Sequence, residues 1–107
     1  MRKIRIENWK AKLPDGKEGE ENLLLALSVL IANKRPEEMP RGLDKFRLFN
    51  RLSKAFDKAE KSRELVLEEM DYTFLKDLIE KDVPSIWGMN PNLSKAVEDF
   101  LNAKQEG

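Results

Sequence analysis

The chain has 107 residues with 20 basic and 20 acidic side chains, so its formal net charge is zero, and its length fits a single domain. It contains no Cys and no His, which excludes disulfides, thiolate nucleophiles, Cys/His zinc sites and imidazole acid–base chemistry. Charged residues make up 37% and apolar residues 40%, but the charges are mixed in sign and interleaved with periodic apolar positions, which argues for a folded chain over a disordered one.

Residues 3–13 alternate apolar and polar side chains, as a half-buried strand does. Ile4 and Ile6 share one parity while Trp9, Ala11 and Leu13 share the other, so a bulge is expected near Glu7-Asn8. Pro14-Asp15-Gly16 reads as a turn: Pro presets φ and Gly permits φ > 0. A return strand around Lys17–Glu20 would have no apolar content, and residues 1–20 are read as a small β-ribbon. Residues 21–33 predict a first helix with a broad apolar face of Leu23, Leu24, Leu27, Leu30 and Ile31. Leu25, Ala26 and Val29 extend that face almost all round, which places the helix at the centre of the core or under a partner. Pro36, Pro40 and Gly42 mark the loop that follows.

Residues 43–61 predict a second helix with two unlike sides. Arg47, Arg51, Lys54, Lys58 and Lys61 recur at i, i+4, i+7, i+11 and i+14, while Phe49, Leu52, Phe56 and Ala59 fall opposite. Asp44 lies near its first turn, where the helix dipole favours a carboxylate. Leu65-Val66-Leu67 reads as a short strand able to pair with the ribbon. A third helix over 69–81 carries Met70, Phe74, Leu75, Leu78 and Ile79, and Pro84 ends it. After the apolar connector Ile86-Trp87-Gly88-Met89, Asn90-Pro91 supplies an N-cap and a first-turn proline. The fourth helix runs to about Ala103 with Leu93, Val97, Phe100 and Leu101 on one face, and the tail 104–107 is expected to fray.

The fold class expected is therefore mainly α, an α+β domain of four helices over 21–104 with a small N-terminal β-ribbon. Its expected core is Leu24, Leu27, Leu30, Phe49, Leu52, Phe56, Phe74, Leu78, Val97 and Phe100. Charge is unevenly spread along it. Residues 34–63 carry ten basic against five acidic groups, net +5, and residues 64–107 carry four against ten, net −6. Such bipolarity favours internal neutralisation or head-to-tail contact between copies.

The stripe Arg47, Arg51, Lys54, Lys58 and Lys61 admits three readings: a solvated face, a surface for an acidic protein or another copy, or a track for nucleic-acid phosphates. Zero net charge and the lack of Asn or Gln at the stripe positions weaken the third. Trp87 and Met89 are read either as closing one end of the bundle or as an interface anchor, since Trp and Met are enriched at interface centres. Trp9 raises the same question. Glu68, Glu69 and Asp71 read as charging of a helix N-terminus, not as paired catalytic carboxylates. Asp15-Gly16 lacks the ligand spacing of a calcium loop, and the glycines are too scattered to cradle a phosphate. No cofactor, metal or small-molecule site is expected, and the chain is read as a non-enzyme.

The ribbon Ile4-Arg5-Ile6 to Pro14-Asp15-Gly16, the helix Leu23-Leu24-Leu25-Ala26-Leu27, the Phe46-Arg47-Leu48-Phe49-Asn50-Arg51-Leu52 run and the segments Leu65-Val66-Leu67-Glu68-Glu69 and Phe74-Leu75-Lys76-Asp77-Leu78-Ile79 together resemble small accessory proteins encoded in tailed phages and prophages. The likeness covers residues 20–81 and is one of pattern. It implies a phage accessory role, in virion assembly or in handling host factors, and carries no site residues. High Lys, Glu and Arg with a single Gln fits a thermophilic source. No apolar region follows Met1-Arg2-Lys3, so no signal peptide is expected. The apolar run Leu23 to Ala32 is too short to span a bilayer, and the expected location is cytoplasmic, the host cytoplasm for a viral protein. The function expected is a non-catalytic protein-interaction or assembly module that binds a protein partner or forms a homo-oligomer. The alternative is a sequence-independent nucleic-acid-binding protein using Arg47, Arg51, Lys54 and Lys58.

Overall fold

The alternation over residues 3–13 resolves into two separate strands in place of one bulged strand. A computed structural model describes residues 1–12, 16–39 and 41–104, with the backbone alone at Ala11, Lys12 and Pro36. In it β1 (Arg2–Arg5) pairs antiparallel with β4 (Glu64–Leu67), while β2 (Trp9–Lys12) pairs antiparallel with β3 (Glu18–Glu21). The chain changes sheet over Ile6–Asn8. Burial is the physical reason. Ile4 and Ile6 face the core together with Leu65 and Leu67, all 5% exposed or less, so β1 takes the apolar Leu65-Val66-Leu67 run as its partner. β3 needs no apolar residues because opposite charges lie across its ladder, Lys10 facing Glu20 in register. Gly16 has φ +84°, as the expected turn requires; Leu13, Pro14, Asp15, Pro40 and the expected frayed end beyond residue 104 lie outside the described residues.

Helix α1 (Leu23–Ala32) is capped by Asn22, whose Oδ1 accepts from the Leu25 N–H at 3.0 Å. It buries Leu23, Leu24, Leu27 and Leu30 and leaves Leu25 and Val29 exposed, so it lines the core instead of crossing its centre. After a 3-10 turn at Pro36–Glu38 comes α2 (Leu43–Ser62). Arg63 ends it in the left-handed conformation, φ 62°, with its N–H on the Ala59 carbonyl at 2.8 Å. That conformation costs a residue with a Cβ roughly 1 kcal/mol or more. The Arg63 guanidinium in turn donates to Asn8 Oδ1 at 2.8 Å, and the same oxygen accepts from Asn22 Nδ2 at 3.0 Å. Asn8 thereby ties together the end of α2, the sheet switch and the cap of α1.

Helix α3 (Glu69–Asp82) buries Tyr72, Leu75, Leu78 and Ile79 together with Asp71. Met70, expected on its apolar face, is 72% exposed, because the buried arc is centred on Tyr72, Leu75 and Ile79. A second 3-10 turn, Ser85–Met89, leads into α4 (Pro91–Leu101), which Asn90 caps through the Asn92 and Leu93 N–H groups. The core lies between the inner face of β1–β4 and the helices. Of the expected core, Leu24, Leu27, Leu30, Leu52, Leu78 and Phe100 are fully buried, while Phe49, Phe56, Phe74 and Val97 pack around it half-exposed. Ile4, Ile6, Leu23, Leu48, Ala59, Leu65, Leu67, Tyr72, Leu75 and Ile79 complete it. Among the described residues no helix is long and apolar enough to cross a membrane.

Candidate interaction surface

Helix α2 presents to the core Leu48, Leu52 and Ala59, not the face centred on Phe49 and Phe56. At 100° per residue this turns the buried arc roughly 40° toward Arg51. The consequence is chemical. Arg51 grips Asp71 with a two-pronged fork, Nη2 to Oδ1 at 2.8 Å and Nε to Oδ2 at 3.1 Å. The Asp71 side chain is only 5% exposed against 43% for Arg51. A buried carboxylate demands such a partner, so the five-cation stripe is corrected to four: Arg51 is a structural cation, and Met70 Sδ lies 4.0 Å from its Nη2.

Arg47, Lys54, Lys58 and Lys61 are exposed and take no ion pair among the described residues. They follow one side of α2 over about 21 Å of helix rise. Leu43, one turn before Arg47, and Met70, beside Arg51, are exposed apolar side chains at the margin of this face, which is otherwise charged.

The other expected site residues lie elsewhere. Trp87 is half-buried against the core, while its neighbours Ile86 and Met89 are 69% and 80% exposed. Their turn packs chiefly on α4, which sets Trp87 and Met89 apart from the cationic side of α2. Trp9 is half-buried, and its indole N–H has no hydrogen-bond partner among the described residues.

No family model, curated protein or solved structure matches the chain.

The carboxylates at the start of α3 have structural occupations. Glu69 accepts from Arg2 Nε at 2.9 Å and Nη2 at 2.7 Å, and this hydrogen bonding holds its carboxyl below the ordinary glutamate range. Arg2 also donates to the Ala103 carbonyl and lies 4.2 Å over the Tyr72 ring. Tyr72 O–H donates to the Phe100 carbonyl at 2.8 Å, and burial pushes its ionisation up. One arginine thus ties β1 to the start of α3 and the end of α4. Sequence reasoning missed Arg2 because a lone cation on a strand has no periodic signature. Reading Asp71 with Glu68 and Glu69 as helix-terminus charge misses its burial, although it stands at helical spacing from Leu75 and Leu78, inside the apolar arc. A pocket lined by apolar Ile31, Met39, Phe49, Phe74 and Leu78 and by charged Lys34, Glu38, Asp77, Lys81 and Asp82 has a volume near 170 Å³, below the ~300 Å³ at which small-molecule sites begin.

Proposed function

We infer that this chain is a non-catalytic protein-interaction module whose α2 face docks on an acidic protein surface. The observation that carries the reading is the run Arg47, Lys54, Lys58 and Lys61, exposed and without ion pairs among the described residues on one continuous helix side. Four unneutralised cations spaced along a rigid rod steer an oppositely charged surface and set its register. They make little affinity without desolvated neighbours, so the contact is weak, fast and salt-sensitive. A place among phage accessory proteins fits such a module.

Poly-glutamate is the probe that tests this. Calorimetric titration at low salt should show binding that weakens with added salt and falls by roughly tenfold or more in Lys54→Glu/Lys58→Glu. Unchanged binding in that variant would remove α2 as the surface. Tighter binding to mixed-sequence duplex DNA than to poly-glutamate would transfer the face to nucleic-acid phosphates, the second reading of the same four cations.

A further inference from the structure

Each strand of this fold has one edge without a partner strand among the described residues, because β1 pairs with β4 and β2 with β3 in separate two-stranded sheets. An open edge is a row of backbone donors and acceptors able to take another strand. On β1 the direction of those groups can be read. The Ile6 N–H donates to the Arg63 carbonyl at 3.0 Å. Residues of that parity, Ile4 among them, therefore turn their backbone groups toward β4, and Arg5 turns its own outward. A cleft of about 390 Å³ is lined by inward-facing Ile4 and by outward-facing Lys3 and Arg5. Touching both faces of β1, it runs along the open edge, with Asn92, Lys95, Ala96 and Asp99 of α4 opposite and Glu7 at one end, so its cations outnumber its carboxylates by three to two.

Charge selects the occupant. β1 is Arg2-Lys3-Ile4-Arg5, three cations and no carboxylate, so two β1 edges would set like charges against each other. β3 is Glu18-Gly19-Glu20-Glu21, three carboxylates and no cation. Laid antiparallel, the two strands set the outward-facing Lys3 against Glu20 and Arg5 against Glu18, with Ile4 beside Gly19, while Arg2 stays on Glu69. Laid parallel, Ile4 would meet Glu20 and Lys3 would meet Gly19. The antiparallel register also alternates sign across neighbouring strands, since Glu20 already faces Lys10 on β2 and Arg5 already faces Glu64 on β4.

We propose that two copies of this chain associate by strand addition, β3 of each lying antiparallel along the outer edge of β1 of the other. The sheet that crosses the interface then runs β4–β1–β3–β2. Each copy carries both complementary strands; a twofold arrangement that makes both pairings at once closes as a dimer, whereas single pairings would propagate as an open chain. The pairing uses none of the α2 cations and stands or falls separately from the docking of an acidic partner.

Sedimentation velocity on the full chain tests it. At low salt the wild type should sediment as a dimer of the 12.4 kDa chain, and salt should shift it toward monomer. Glu18→Lys/Glu20→Lys and Lys3→Glu/Arg5→Glu should each raise the dimer dissociation constant by roughly tenfold or more. Mixed in equal amounts, the two variants should regain the wild-type dimer, because each then offers the charge the other lacks. Lys54→Glu/Lys58→Glu should leave the dimer unchanged. A wild type that stays monomeric at low salt overturns the proposal, as does a dimer that survives both reversals or a mixture that fails to recover it.

Discussion

Arg51 and Asp71 show how one residue pair divides a helix between structure and surface. The carboxylate sits inside the apolar arc of α3, and the cation reaches it from the margin of α2 because Leu48 and Leu52, not Phe49 and Phe56, set the inward direction. Removing the cation leaves a buried charge without compensation, a change that costs roughly 3–5 kcal/mol in a fully buried pair. Arg51 is 43% exposed, so water recovers part of that loss. Arg51→Ala should lower stability by about 1–3 kcal/mol in urea titration, and Arg47→Ala, on the same helix without a partner, by no more than about 0.5 kcal/mol. Equal losses in the two variants would mean that the fork has no special weight.

At the scale of elements the periodic signals were legible in the sequence and the rotations were not. All four helices, the return strand and the Leu65-Val66-Leu67 strand lie where spacing and capping residues predict them. The apolar arc of α2 was misplaced because both faces of the helix hold large apolar side chains: Leu48 is 4% exposed and Phe46 69%, and periodicity cannot rank them until β4 and α3 have chosen a side. The break between β1 and β2 was missed for a related reason, since the partner of β1 lies some sixty residues away. Arg47, Lys54, Lys58 and Lys61 lie exposed on one side of α2, as their spacing predicts, but the pairing of Arg51 depended on a carboxylate twenty positions along the chain. This sorting has a measurable consequence. Phe100 is fully buried and Phe56 half-buried, so Phe100→Ala should cost about 3–5 kcal/mol and Phe56→Ala about 1–3 kcal/mol in thermal or urea unfolding. The reverse order would place the core on the wrong side of α2.

For the whole molecule, the clamp at Arg2 decides the acid response. Glu69 is held below the ordinary carboxyl value of 4.5 by its bonds to Arg2. The folded state therefore releases this proton more readily than the unfolded chain, and the stability the pair adds is full above that ordinary value. It is lost as pH falls through the lowered one. Thermal melts across the acid range should show a decline in wild type that is shallower in Glu69→Gln; parallel declines would assign the acid sensitivity to other groups. The same clamp also brings residue 2 within a single hydrogen bond of the residue 103 carbonyl, so the two extremities of the described chain are neighbours in space.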